Sequence, residues 1–412
     1  MILALLSPSH RHRHDRLPLH TWLDGRSEQL ALITSRDAPV SVAATDMDIR
    51  VDDYSDDRLV MEAARAAHRI EPVTAVLSFA ENDVTRAAAI RAEFGIAGLL
   101  PHDARAYRDK LVMKHHAALG GIRVPKHTPA EHISDIQSFM EMLGGPVVVK
   151  PRGGVGSLGV AILRTPDDVA RFDESLLTVG YEVEEYIDGD LYHVDALLVD
   201  GRPAVAVPSR YVGNGCLSHW SDEPSGSYTV AHSDPLHASL VHETHLLAAA
   251  MPGAPGFMHA EFFITPEGQI VLCEVAARVG GGPVPAMLTR VLGLDPRHLW
   301  ARTECRLPID LQAVHDHLRS APMVANFGLP PRNGTVERVP TDPSQIDDFA
   351  LHTQAGDEWG GARYGDRASS DFIATWTVSA PDEARLLTQL SNTAARIAEG
   401  FSWSAQPAPN FE

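Results

Sequence analysis

Residues 259–282 read HAEFFITPEGQIVLCEVAARVGGG and carry two glutamates, Glu261 and Glu274, on either side of a turn sequence. Each lies in apolar surroundings, AEFFI and VLCEVAA. Burying a carboxylate is costly unless it is paired or bound to a metal. A tight turn centred on Glu267 and Gly268 pairs residues equally distant from it, and Glu261 and Glu274 are such a pair. They then face each other on antiparallel strands, on one side of the sheet, with Cβ atoms roughly 5 Å apart. Like charges so placed ask for a cation. Oxygen-only ligation favours Mg2+, with Mn2+ as the alternative, over zinc. The competing explanation is a structural salt bridge to each glutamate, with Arg278 as the nearest candidate. By strand alternation Cys273 points to the opposite face and is expected in the core.

The chain of 412 residues is 44% apolar and 22% charged, an ordinary globular composition with room for two or three subdomains. No apolar run is long enough to span a membrane. The formal net charge of −19 argues against nucleic acid or an anionic membrane as partner. It leaves ATP open, because phosphate binding depends on local groups. Three cysteines (Cys216, Cys273, Cys305) without a C-x-x-C suggest a reduced, cytoplasmic setting. The run HRHRH from His10 to His14 lacks acidic or cysteine companions and reads as a solvated loop rather than a metal site.

In the first hundred residues ILALLS, LALITS and VTAVLSFA read as strands, the last followed by the amphipathic helix NDVTRAAAIRAEF. This is the pattern of a small α/β domain with a parallel sheet. Asn82 or Asp83 is the expected cap of that helix. Glu81, at a strand end facing the crevice, is a candidate for substrate contact. A helix ends near Leu119, ISDIQSFMEMLG is another, and PVVVK is a buried strand. TPDDVARFDESLL reads as one helix after a capping Thr-Pro. YEVEEYI and YHVDALLVDGRPAVAVPSR read as strands, the latter with a hairpin turn at Asp200 and Gly201. Residues 212–235 form a long loop and residues 236–251 a helix. The last ninety residues mix turns and short strands and end in a helix.

The loop RGGVGSLG follows Lys150 and leads into a strand, so it is neither a Walker A loop nor a dinucleotide fingerprint. It reads as a hairpin flap. Its backbone N–H groups at Gly153, Gly154 and Gly156, with the Ser157 hydroxyl, suit phosphates. Lys150 reaches the same phosphates from the buried strand. EVEEYI, taken as an edge strand, offers backbone groups to a nucleotide base. Glu184, Glu185 and Ile187 are the candidates there, with Asp190 or His193 near the ribose. Arg278 suits phosphate or carboxylate oxygens. His259, two residues before Glu261, is a candidate to orient an amine or act as a base.

In this order, RDK at residues 108–110, PVVVK with its flap, EVEEYI, Glu261 and EVAAR resemble the ATP-grasp superfamily over roughly residues 70–300. The resemblance implies an α/β and α+β architecture. It comprises an N-terminal α/β domain (1–105), an ATP-grasp domain (106–310) with a mobile lid near 118–187, and a C-terminal domain (311–412). It also implies phosphate contacts by Lys110 and Lys150, with Mg2+ held by Glu261 and Glu274. Biotin carboxylase and purine-pathway members carry Asn two residues after the second metal glutamate, and here that residue is Ala276. EVAARVGGG is closer to the L-amino acid ligases of the bacilysin-synthetase type, in which the arginine matching Arg278 holds the acyl phosphate or carboxylate. Where that enzyme has Trp, this chain has Gly282, which implies a roomier acyl pocket. The implied activity is an ATP-dependent, ADP-forming carboxylate–amine ligase acting on small acids and amines, amino acids by default. No nucleic-acid or membrane partner is expected, and a homodimer is compatible. A bicarbonate-dependent carboxylase and a non-catalytic nucleotide-binding protein are the alternatives.

Overall fold

The computed structural model describes residues 1–7, 17–38, 45–212, 223–332, 334–340, 346–359 and 372–404. The histidine run, Cys216 and residues 213–222 of the expected 212–235 loop lie outside them; the rest of that stretch is not all loop, because Ser225–Thr229 form a strand paired on both sides. The first apolar runs bury every residue as strands of a parallel sheet. In chain order the elements are β1 (Ile2–Leu5), α1 (Leu19–Trp22), β2 (Leu30–Ser35), β3 (Met47–Val51), α2 (Asp57–Ile70), β4 (Ala75–Ser78) and α3 (Asp83–Phe94). The strand order is β3-β2-β1-β4, all parallel. Neither expected residue caps α3 through its side chain. Asn82 makes no such bond, and Asp83 turns inward to the Tyr54 hydroxyl and Arg86.

Two helices follow, α4 (Pro101–Ala106) and α5 (Lys110–Leu119), the latter capped by Asp109. Next comes a small subdomain of β5 (His127–Ala130), α6 (Ile133–Leu143), β6 (Val147–Pro151), β7 (Ala161–Leu163), α7 (Pro166–Arg171) and β8 (Tyr181–Glu185). The single helix expected from TPDDVARFDESLL is broken. Thr165 caps α7, the chain extends at Phe172, and Asp173 caps a separate 3-10 segment, Glu174–Val179. Two N-caps so close together start two short helices. The strand order β5-β8-β6-β7 makes β8 an interior strand, not the expected edge, because β5 takes its outer side.

The largest sheet is antiparallel, with order β13-β12-β9-β10-β11-β14-β18-β16. Its strands are β9 (Asp190–Val199), β10 (Arg202–Val212), β11 (Ser225–Thr229), β12 (Phe257–Ile264), β13 (Ile270–Ala276), β14 (Met323–Leu329), β16 (Asp347–Leu351) and β18 (Ala374–Ala380). Around them lie α8 (Pro235–Ala250), α9 (Val284–Leu292), α10 (Pro296–Glu304), α11 (Leu311–Ser320) and α12 (Glu383–Gly400). A small sheet joins β15 (Gly334–Arg338) to β17 (Glu358–Trp359) and β19 (Ser402–Ser404). Asp200 and Gly201 both have positive φ, the geometry of a two-residue hairpin turn. Val194, Ala196, Ala260, Phe262 and Leu272 pack one face of the large sheet against α5 and α8. The alternate residues His193, Asp195, His259 and Glu261 therefore share the other face. No helix among the described residues is long and apolar enough to cross a membrane.

Candidate active site

Glu261 and Glu274 are cross-strand partners on β12 and β13. The turn differs from expectation. Ile264 pairs with Ile270, so the loop centres on Glu267 alone, and Cys273 is an extra, bulged residue that restores the pairing. The bulge also corrects the place of Cys273. Leu272 and Val275 both lie in the α5/α8 core, so the two residues between them face the site. The half-buried Cys273 thiol is pushed up in pKa by burial, despite the field of Lys150. The Tyr211 hydroxyl donates to Glu261 Oε1 at 2.7 Å. Arg278 is not the partner of either glutamate, since it pairs with Glu81; Glu274 instead pairs with Lys110 and Glu261 with His259.

Two lysines converge on this pair and on β8. Lys110 opens α5, its Nζ 3.2 Å from Glu274 Oε2 and 3.1 Å from the Gly154 carbonyl. Lys150, near the end of β6, lies 2.6 Å from Glu184. Burial opposes its charge, but Glu184, Glu182 and Glu274 hold its pKa well above the ordinary lysine value. A third lysine, Lys114, is fully buried between Glu182 and Glu184. Its signal in the sequence is its spacing of one helical turn from Lys110, which puts both on one face of α5.

β6 and β7 form the expected hairpin, with Gly153, Gly154, Gly156 and Ser157 in its connection. Gly156, Ser157 and Gly159 all have positive φ. A Cβ on Gly159 would stand 2.7 Å from the Tyr181 hydroxyl, so glycine is required there on two grounds. The nucleotide-base candidates separate. Glu184 faces the two lysines, and burial is outweighed by Lys150 and Lys114, which depress its pKa. Glu185 points the other way, to Arg123 and the Lys126 N–H. Ile187 follows the last paired residue of β8 and is half-buried. Asp190 is exposed and bonded to Arg210. His193 is wholly buried, bonded to Asp195 and Ser227, which puts it beneath the floor of the site.

Arg278 donates from Nε to Glu81 Oε2 at 2.7 Å and from Nη1 to the Val279 carbonyl at 2.9 Å. Glu81 also pairs with Arg108. Burial would raise the Glu81 pKa, but Arg278 and Arg108 hold it below the usual glutamate value. Burial pushes the His259 pKa down, yet Asp195 and Glu261 win and raise it to about 10. The imidazolium bonds Asp195 at 3.0 Å and reaches Glu261 at 3.4 Å. Asp195, which sequence reasoning missed, also accepts the Gly280 N–H at 2.9 Å. It ties β9, β12 and the glycine segment after Arg278 together. His193, Asp195 and His259 also meet the spacing of a metal site. Both Nδ1 atoms already bond Asp195, and the Nε2 atoms bond Ser227 and Glu261.

No family model matches the chain. Over 302 residues it is 26% identical to the L-arginine-specific L-amino acid ligase of Bacillus subtilis, spanning 70% of each chain. The crystal structure of the L-amino acid ligase from Bacillus licheniformis matches with a TM-score of 0.78, covering 98% of this chain and 99% of that one at 16% identity. The chain has the ATP-grasp fold. This ATP-grasp chain also matches the biotin carboxylase domain of the Hydrogenobacter thermophilus 2-oxoglutarate carboxylase. The TM-score is 0.70 and the identity 14%, over 98% of this chain and 90% of that one. That domain was crystallised with MgADP, ADP and bicarbonate.

Proposed function

We propose that the chain joins the carboxylate of one amino acid to the amine of another, cleaving ATP to ADP and phosphate. The reaction is carboxylate–amine ligation through an acyl phosphate. The observation that carries the reading is the facing pair Glu261 and Glu274 with Lys110, Lys150 and Arg278 converging around it. Ala276, in place of a carboxylase-type asparagine, and the likeness to L-amino acid ligases favour amino-acid substrates.

The donor set fits Mg2+. Both carboxylates lie on one face, and the neighbouring Cys273 thiol is held protonated, which disfavours a soft metal. Bound by Glu261 and Glu274, Mg2+ supplies positive charge to the ATP phosphates. The residues of the chain do the rest. Lys150 and Lys110 place cations at the phosphates, and the 153–157 hairpin covers them with backbone N–H groups. Unpaired backbone beyond Glu185 is the place for the base. Arg278 spreads charge on the acyl phosphate. His259 and Asp195 hold Glu261 and the Gly280 backbone in position. The amine attacks the acyl carbon, and phosphate leaves with the oxygen it acquired.

A screen of amino-acid pairs for phosphate release, with mass spectrometry of the products, tests this. The expected result is an amide formed with ADP. ADP release driven by bicarbonate without an amine would move the chain to the carboxylase class.

A further inference from the structure

Residues 108–110, Arg-Asp-Lys, each hold the base of the flap. Arg108 Nη2 donates to the Gly153 carbonyl at 3.1 Å. The Asp109 carboxylate accepts from Arg152 Nη2 at 2.6 Å, and the Lys110 backbone N–H donates to the Arg152 carbonyl at 3.0 Å. Lys110 Nζ reaches the Gly154 carbonyl. Two of the three bonds to flap carbonyls come from side-chain cations beside the phosphate site. In addition, the other arm of Arg108 grips Glu81, whose second oxygen holds Arg278 Nε and Nη2, the latter at 2.5 Å. One carboxylate in the turn after β4 thus joins the arginine of the acyl site to an arginine anchored on the flap.

We infer that Arg108 is a positioning residue that couples the acyl-substrate site to the flap over the nucleotide, through Glu81. Glu81 occupies the Nε and Nη2 edge of the Arg278 guanidinium, the edge that an anionic acyl group needs. An anion arriving at Arg278 competes for that edge and redistributes Glu81 between the two arginines. The Arg108 hold on Gly153 changes with it. Occupancy of the acid site is thereby reported to the flap, which favours ATP cleavage only when an acid is present. A lysine at position 108 keeps the charge but lacks the fork that reaches Glu81 and Gly153 together.

The link itself is independent of the ligase reading; only its catalytic consequence rests on it. Hydrogen exchange of the full chain, without nucleotide, reads the link directly. The reporters are the flap-region amides of Arg152, Gly154, Leu158 and Val160, which bond the carbonyls of Gly180, Pro151, Val155 and Ser157. Glu81→Gln and Arg108→Lys are each expected to speed their exchange about tenfold, the weight of one charge-assisted hydrogen bond. The combined variant is expected to exchange no faster than either alone, and β1 and β2 are expected to stay protected. Flap amides exchanging at the wild-type rate in Glu81→Gln would overturn the coupling. If Glu81→Gln loosens β1 and β2, Arg108→Lys decides by the same criterion. Failure of the ligase reading shows up elsewhere, as a wild-type chain that forms no amide from any pair.

Discussion

Lys114 of α5 lies fully buried against Glu182 of β8, its ammonium 2.6 Å from the carboxylate. The same ammonium bonds Glu184, which in turn holds Lys150 at 2.6 Å. Two lysines and two glutamates thus cancel in charge where α5 meets the β5-β8-β6-β7 sheet. The second oxygen of Glu182 is buried without a hydrogen-bond partner. Lys114→Met leaves a carboxylate uncompensated and is expected to cost about 3–5 kcal/mol in urea unfolding. Adding Glu182→Leu should recover part of that loss. A single variant as stable as wild type would show that the network carries little.

His259 gives a pH signature in stability. Its folded pKa is raised to about 10, from an ordinary value of 6.5. The sign follows from proton linkage: its stabilisation is complete below pH 6.5 and is lost as pH rises through about 10. Without Mg2+, the difference in unfolding midpoint between wild type and His259→Gln should be largest at and below about pH 6.5 and shrink as pH rises toward 10. A difference constant over that range would mean that His259 is not an imidazolium in the folded chain.

Gly159→Ala strains the flap through both its positive φ and the close Tyr181 hydroxyl. Its expected effect is a rise of about tenfold in KM for ATP, with kcat changed less, because the flap covers the nucleotide rather than the reacting carbon. A wild-type KM would separate the hairpin from nucleotide binding.

Lys150→Met removes a buried cation beside Glu184 and is expected to lower kcat by about a hundredfold or more. Steady-state ADP release under saturating substrates is the measurement. A loss confined to KM would place Lys150 in binding alone.

Much of this was legible in the sequence because the strands that build the site follow local rules. The facing of Glu261 and Glu274 follows from a two-residue turn in the sequence and holds in the structure because the Cys273 bulge offsets the wider turn; the flap declares itself by glycines between two strands. The wrong steps came from what local rules omit. Cys273 was assigned to the core because alternation assumes no bulge, and the bulge depends on how β13 meets β12. β8 reads as an edge in the sequence because its second neighbour, β5, lies some fifty residues upstream. Lys114 and Arg108 lie beside residues that local patterns mark, but they and Asp195 gain their partners from distant segments, so their roles do not show in the local sequence. Asp195, the main partner of His259, is 64 positions away in sequence.

The central claim is that a carboxylate is activated as an acyl phosphate. It is tested most directly by supplying an acid substrate labelled with 18O in its carboxylate, together with the partner amine and unlabelled ATP. The account predicts one labelled oxygen in the phosphate released for each amide formed. Amide formation with unlabelled phosphate, or with the label in AMP, would contradict it.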